Sequence, residues 1–234
     1  MTMLYAAAAV FLAIHLLISG TRIRDGIVAA IGENTYLALF SLASIAVIVW
    51  LCMAYNAADA SAQNRYFYNF GHAVHDLGIP VIFVAFWLGV QGLLMPNPTA
   101  LKQESSAGKP LKGVLRITRH PFLWGVIVWS GFHLLANGDL ASIVLFGTFF
   151  ATALLGTFSI DARRRRKMGA AWDAFAARTS NIPFGAIVTG RTQARLGESF
   201  GWRFWLASLL FLIVLFAHAR LFGVSPFPNG WRPF

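Results

Sequence analysis

Histidines are the residues of this sequence whose type and surroundings best suit chemistry. There are six of them: His15, His72, His75, His120, His133 and His218. His15 lies in FLAIHLLIS, His133 in WSGFHLLAN and His218 in LFAHARLF, all strongly apolar stretches. A neutral imidazole ligates iron, copper and zinc, and an ionisable side chain inside an apolar span is a candidate functional site.

The ligand types around these histidines narrow the choice of metal. Taken singly, each histidine is expected to donate to a backbone carbonyl in a protein core or at an interface. Two or three together favour a metal, but no carboxylate lies deep in the apolar runs to complete a four-ligand zinc site. A haem needs only axial imidazoles, because its porphyrin supplies the other four nitrogens. The sequence therefore predicts haem as the cofactor.

The elements that must position these histidines are apolar helices. Of the 234 residues, 57% are apolar and 12% are charged, against roughly 25% charged residues in soluble domains. Apolar runs of about 20 residues match a hydrocarbon core of ~30 Å. We predict an all-α fold, a polytopic membrane helix bundle of six transmembrane helices that forms one domain over residues 1–234. The predicted spans are 4–20, 36–55, 75–95, 121–136, 140–160 and 202–223, with a cytoplasmic amphipathic segment over 161–183.

The distribution of Lys and Arg predicts the orientation. The net charge is +10, and 16 of the 19 cations fall between the first and second, third and fourth, or fifth and sixth predicted spans, if Arg203 at the first turn of the sixth span is included. By the positive-inside rule these segments are cytoplasmic and both termini are non-cytoplasmic, in a multi-pass protein of the cell inner (plasma) membrane. The RRRRK run at 163–167 is expected to contact anionic lipids, at about 1 kcal/mol per cation, and not nucleic acid.

The RHP motif at the predicted start of the fourth span allows two interpretations. Pro121 suits the first turn of a helix, with Arg119 and His120 at the cytoplasmic headgroup boundary. The motif, with Gly125 and the stretch 172–183, also resembles the RHPxYxG pattern of membrane methyltransferases that bind S-adenosylmethionine. Those enzymes carry a glutamate pair where this chain has Asp161 followed by an alanine and arginines. A methyltransferase is therefore the less favoured enzyme class.

Asn137, Gly138 and Asp139 form a turn signal between the fourth and fifth spans. Glycine is expected there because it adopts positive φ without strain. Asn137 and Asp139 are also close enough in sequence to orient His133 or to contact a ligand beside it.

The chain as a whole resembles the NnrU family of membrane proteins. The resemblance is carried by ITRHP, by HLLANGD thirteen residues after its histidine, by DARRRRKMGAAWDAFAARTSNIPF and by HARLFGVSPFP. NnrU proteins are associated with denitrification and nitric-oxide metabolism, and they are related to 15-cis-zeta-carotene isomerase, a haem b membrane enzyme. The resemblance implies haem b with His15 and His133 as axial iron ligands, and it adds Asn137 and His120 as cofactor-binding candidates. The isomerase has a cysteine where this chain has Ser130.

The second iron ligand stays open at this point. Counted from the predicted helix ends, His15 lies deeper than His133 by roughly 12 Å, so His75 and His218 are alternative partners. The implied function is a haem-dependent cis–trans isomerase of a lipid-soluble polyene such as zeta-carotene, which would take a hydrophobic small molecule as substrate. The alternative is a non-enzymatic or redox haem protein that serves denitrification.

Overall fold

The structure is a computed structural model that describes residues 1–227, except for the side chains of residues 72, 73, 75 and 196. Over this range the regular elements are helical, with one isolated β-bridge between Tyr66 and Asp139. The α-helices are α1 (Thr2–Leu12), α2 (Ile23–Ile31), α3 (Glu33–Asp59), α4 (His72–Leu94), α5 (Pro121–Ala136), α6 (Leu140–Met168), α7 (Ala170–Arg178), α8 (Gly185–Val188) and α9 (Trp202–Phe222). The predicted all-α class is confirmed.

Four of these helices are long and apolar enough to cross a membrane. They are Glu33–Asp59, Asp76–Leu94, Leu140–Met168 and Trp202–Phe222. The first helix reaches this standard only together with α2, from which it is bent by 78°. Helix α5 has 16 residues, which gives a length of roughly 24 Å, somewhat short of a full hydrocarbon core. The described part of the chain thus holds four or five helices of spanning length, and the count of six and the position of the termini stay predictions.

The first helix continues beyond α1 as a π-helical turn over Ala13–Ile18. Its wider winding is shown by the bond from Ser19 N to Ile14 O, five residues back, at 3.0 Å. Single π-turns inside α-helices occur frequently at functional sites, and this one contains His15.

By its internal packing the chain divides into two compact units. The first unit comprises Met1–Asn69 and His133–Arg163, and the second comprises Phe70–Phe132 and Arg164–Phe234. In the first unit α1 packs along α3, and Arg163 donates from Nη1 to Ser19 O at 3.3 Å. This bond joins two of the segments predicted from their cations to lie on the same side.

In the second unit a hydrophobic core lies between α4, the connection to α5, and α7. Trp172 and Phe175 sit three residues apart on one face of α7, and both are buried against Leu88, Met95 and Val114. Full burial of each such side chain stabilises the fold by roughly 1.5–3 kcal/mol. The cytoplasmic amphipathic segment predicted over 161–183 stays a prediction as a whole. Its helix begins after Gly169, whose φ is +53°, because α6 continues through the arginine run as far as Met168.

Charged groups of the second unit tie its loops together. Glu104 pairs with Arg164, which is almost fully buried, and accepts a 2.8 Å bond from Lys167 Nζ. Burial alone would raise the pKa of Glu104, but the bond from Lys167 and the pairing with Arg164 outweigh it and lower the pKa to about 2. Arg116 likewise pairs with Glu198 at 2.9 Å.

Candidate functional site

His15 lies in an aromatic setting within the first unit. Its ring stacks on Phe11 with centroids 4.1 Å apart and meets the edge of Phe40 at 5.3 Å. His15 Nδ1 lies 2.9 Å from Phe11 O, and since a carbonyl only accepts, Nδ1 carries the proton. This leaves the Nε2 lone pair available. A metal-binding histidine is typically held in this way, with its other ring nitrogen donating to a backbone carbonyl.

One face of α3 next to His15 carries polar atoms that lack partners. Tyr36, Phe40 and Ser44 follow one another at intervals of four residues and so share a face of the helix. Phe40 contacts His15, while the hydroxyls of Tyr36 and Ser44 are buried and have no hydrogen-bond partner among the described residues. Buried polar groups are nearly always satisfied. Two hydroxyls without described partners thus lie on the face of α3 that contacts His15.

His133 lies near the end of α5, also in the first unit. Its ring packs at 4.7 Å against Phe146 of α6. One turn farther along α6, Phe149 meets Phe11 edge-on at 5.3 Å, and Phe11 is the residue on which His15 stacks. Phe146 and Phe149 form what we call the aromatic wall of α6. It contacts His133 directly, and it contacts His15 through Phe11.

The two histidines stand at different levels along α6. Phe11 is level with Phe149, and Gly20 is level with Ser159, whose hydroxyl donates to Gly20 O at 2.7 Å. His15 therefore lies beside residue 153 or 154, whereas His133 lies beside Phe146. Seven or eight residues correspond to roughly 11–12 Å, the separation predicted from helix lengths.

The donor types of this region fit a haem. Two imidazoles, one with a fixed tautomer, offer axial nitrogens, and Phe11, Phe146 and Phe149 offer the flat apolar surface that a porphyrin packs on. The backbones of His15 and His133 are offset along α6. Both imidazoles therefore reach one iron only if the two side chains span most of that offset. His15 and His133 as ligands therefore stay a prediction.

Asn137 and Gly138 hold the end of α5. Asn137 Nδ2 donates to His133 O at 2.9 Å, so its side chain fixes the backbone of His133 and caps the helix. The turn is confirmed, since α5 ends at Ala136 and α6 begins at Leu140. The predicted positive φ at Gly138 is wrong. Glycine is required there for a different reason, lack of space, since a Cβ would lie 1.9 Å from Tyr68 O.

The segment 64–68, which the sequence did not single out, clamps this turn. Asp139 is buried and caps α6, since its Oδ1 accepts from Ser142 N at 2.9 Å and from Asn64 Nδ2 at 3.0 Å. The Tyr68 hydroxyl donates to Leu134 O, one residue beyond His133. Burial first, and the charge of Asp139 second, raise the pKa of Tyr68. Asp139 thus helps to hold the start of α6 in position.

His120 is placed differently from its prediction. It was expected at a headgroup boundary, but it is 2% exposed because the loops on both sides fold over it. Arg119 N donates to Ser180 O at 2.9 Å and Thr118 Oγ1 donates to Asn181 O at 2.6 Å. His120 belongs to the second unit and immediately precedes α5, thirteen residues or roughly 20 Å before His133. It therefore does not ligate an iron bound to His133.

The two alternative iron ligands are not brought to His133 by any described contact. His218 Nδ1 donates to Val224 O at 2.7 Å, and its ring lies 4.8 Å from Phe222. His218 belongs to the second unit. The side chain of His75 lies outside the described residues.

The neighbours of the two histidines were missed at the sequence level. The stacking of Phe11 on His15 was readable, because residues four apart face each other on a helix. The contacts of Phe40, Phe146 and Phe149 join separate helices, and nothing in the local sequence indicates them.

Comparison with known proteins gives the family. The NnrU protein family model matches residues 3–226. This chain belongs to the NnrU family.

Curated relatives of this NnrU chain carry the name 15-cis-zeta-carotene isomerase, chloroplastic. The protein from Zea mays is 25% identical over 209 residues, which cover 86% of this chain and 56% of the relative. The protein from Arabidopsis thaliana is 32% identical over 122 residues, which cover 49% of this chain and 33% of the relative. The chain therefore spans about half the length of the first relative and a third of the second. No solved structure matches this NnrU chain.

Proposed function

We propose that this chain is an integral membrane haem protein that catalyses cis–trans isomerisation of a lipid-soluble polyene. The observation that carries the proposal is the pair of histidines joined by the aromatic wall of α6, in a chain with four or five helices of spanning length. The curated relatives are named zeta-carotene isomerases, and a 15-cis polyene of that kind is the proposed substrate. The proposed location is the inner membrane, crossed several times.

Haem b is the proposed cofactor, and His133 and His15 are the residues that would hold its iron. When bound, and with one of the two histidines off the iron, it would supply a metal that lowers the barrier to rotation about a double bond without net oxidation or reduction. His15 Nδ1–H, held by Phe11 O, keeps the Nε2 lone pair on the other side of the ring. Asn137 and Tyr68 fix the carbonyls of His133 and Leu134 and thereby the end of the helix that presents His133.

The aromatic side chains exclude water from this region and offer flat surfaces to a conjugated substrate. Phe11, Phe40, Phe146 and Phe149 have no group that competes for iron, and stacking against a planar partner is favourable for such rings. Tyr36 and Ser44 lie on the face of α3 that also carries Phe40, and their hydroxyls have no described partner.

The test begins with the absorption spectrum of the protein purified from membranes of cells supplied with haem. A Soret band that His133→Ala removes supports the cofactor and its ligand. The purified protein is then incubated with 15-cis-zeta-carotene under reducing conditions, and the isomers are separated by chromatography. Isomerisation by the wild type and its loss in His133→Ala are expected. A Soret band without isomerisation would favour the haem protein of nitrogen-oxide metabolism, and a colourless protein would contradict both.

A further inference from the structure

A basic cleft in the second unit lies outside the histidine region. It has a volume of about 660 Å³, within the range of roughly 300–1,000 Å³ that small-molecule sites occupy. Its charged lining residues are Arg119, Arg165, Arg191 and Asp173. Three guanidinium groups and one carboxylate leave an excess of two positive charges.

The walls of the cleft are fixed by hydrogen bonds between two distant parts of the chain. Phe184 N donates to Ile117 O at 2.8 Å, and Arg119 N donates to Ser180 O. Ser180 Oγ in turn accepts from Ala186 N at 2.9 Å. Phe184 adopts a φ of +64°, a left-handed conformation that costs a non-glycine residue about 1–3 kcal/mol and clusters at ligand sites.

Two arginines of the cleft are oriented while keeping donors available. Arg191 donates from Nη1 to Thr179 O at 2.8 Å and from Nε to Thr189 Oγ1 at 2.9 Å, and its Nη2 makes no hydrogen bond to residues 1–227. Arg165 donates only from Nε, to Asp173 Oδ1 at 3.0 Å, among the residues described. Such pre-oriented guanidinium forks match the oxygens of a phosphate.

Exposed apolar side chains stand beside this charged cleft. Ile182, which lines it, is 68% exposed, Phe184 is 50% exposed and Val188 is 83% exposed. A cationic cleft flanked by unburied apolar side chains suits a ligand with a phosphate at one end and hydrocarbon at the other. It also suits a position at the membrane surface, where basic pockets bind anionic headgroups.

We infer that this cleft binds the phosphomonoester of an amphipathic molecule, such as a lipid headgroup of the phosphatidic acid type. A phosphomonoester carries about −1.5 to −2 charges at neutral pH, which matches the lining. The inference uses the membrane location from the proposed function but neither haem nor isomerase activity. It can therefore fail while the Soret band is intact, and it can hold in a colourless protein.

The test is native mass spectrometry of the full chain in detergent, titrated with phosphatidic acid and, separately, with phosphatidylcholine. Phosphatidic acid is expected to bind at least about tenfold more tightly, a difference of about 1.4 kcal/mol. Arg165→Gln should lower this affinity about fivefold to tenfold. The matched control is Arg166→Gln, which removes the same charge from the next residue of α6, outside the cleft, and should change the affinity less than twofold.

A second variant is expected to raise the affinity for phosphatidic acid, an effect that loss of folding cannot produce. Asp173→Asn removes the one carboxylate of the lining and releases Arg165, so phosphatidic acid should bind about threefold more tightly. A competition experiment with inorganic phosphate then separates the two sources of the phosphate group. If phosphate at equal concentration displaces phosphatidic acid, the site binds a soluble phosphate ester; if it does not, the site binds the lipid. Equal losses in Arg165→Gln and Arg166→Gln, or no preference over phosphatidylcholine, would overturn the inference.

Discussion

His120 immediately precedes helix α5 and His133 lies near its end, and the surroundings of the two histidines differ in kind. His120 is buried in the second unit under loops that hydrogen bonds lock over it, among them those of Thr118 and Arg119. His133 is half-buried in the first unit, with an aromatic neighbour on α6 and a helix end braced by Asn137. An imidazole covered by its own protein serves the fold, whereas a half-buried one that packs on an aromatic ring at a helix end is suited to a ligand. Residue type alone does not separate the two roles.

The strongest test of this difference between the histidines is to substitute each of them in turn. His133→Ala should lower the affinity for haem by at least about 100-fold, close to 3 kcal/mol, because the proposed bond between His133 and the iron is lost. His15→Ala should do the same if both side chains close the offset along α6. The measurement is the Soret absorbance of protein titrated with haem.

His120→Asn, at the residue just before α5, is the control. It should leave the position and intensity of the Soret band unchanged, while it destabilises the second unit by about 1–3 kcal/mol because a buried side chain is replaced. A spectrum that changes with His120 and not with His133 would reverse the roles assigned here.

The turn that supports His133 gives the next largest effect. In Gly138→Ala the new Cβ would meet Tyr68 O at 1.9 Å, so the clamp formed by residues 64–68 must open. Such overpacking costs about 1–3 kcal/mol or more, and thermal unfolding in detergent should show it. Gly147→Ala on α6 meets no atom within 4 Å and should be neutral or stabilising. Equal unfolding temperatures for the two variants would show that the clamp does not hold the turn.

The ion network of the second unit predicts a pH dependence. The pKa of Glu104 is lowered to about 2 from 4.5, so its stabilisation is complete above the unfolded value. It is lost as pH falls through the range between about 5 and 2, and it amounts to about 3 kcal/mol. Chemical unfolding at a series of pH values measures it. Glu104→Gln should be less stable at neutral pH by about 2–3 kcal/mol, and the wild type and variant should converge near pH 2.

The smallest expected effect tests whether the face of α3 that carries Tyr36 contacts the bound group. Tyr36→Phe removes a buried hydroxyl that has no described partner, so the haem-free protein should be unchanged or more stable by up to about 1 kcal/mol. The haem-loaded protein should lose affinity severalfold if that hydroxyl contacts the bound group. Tyr5→Phe, at an exposed position, is the control. If haem affinity is the same in both variants, the hydroxyl of Tyr36 does not face the cofactor.

Much of the fold followed from the sequence, because helix length and apolarity are local properties. The roughly 12 Å offset between His15 and His133 was predictable for the same reason: the rise per residue of a helix is constant. The end of α6 was harder to place. Arginine and lysine are good helix formers, so the helix continues from the apolar run through RRRRK and ends only at Met168.

The parts of the candidate site that could not be predicted depend on distant contacts. His120 was expected at an interface, but residues 180 and 181 fold back over its neighbours, and nothing near position 120 signals this. The need for glycine at position 138 comes from Tyr68, seventy residues earlier in the chain. The aromatic wall likewise requires three helices to be brought into register.

The π-helical turn at Ala13–Ile18 acts as a phase correction in the first helix. Phe11 and Gly20 are nine residues apart, which in a regular α-helix would point them about 180° apart. Both nevertheless meet α6, at Phe149 and Ser159. One wide turn accommodates an extra residue and so rotates the segment that follows it by about 100° relative to a regular helix. The first helix and the turn after Ile18 can therefore both contact α6, and the deletion of a single residue within Ala13–Ile18 would rotate Gly20 away from Ser159.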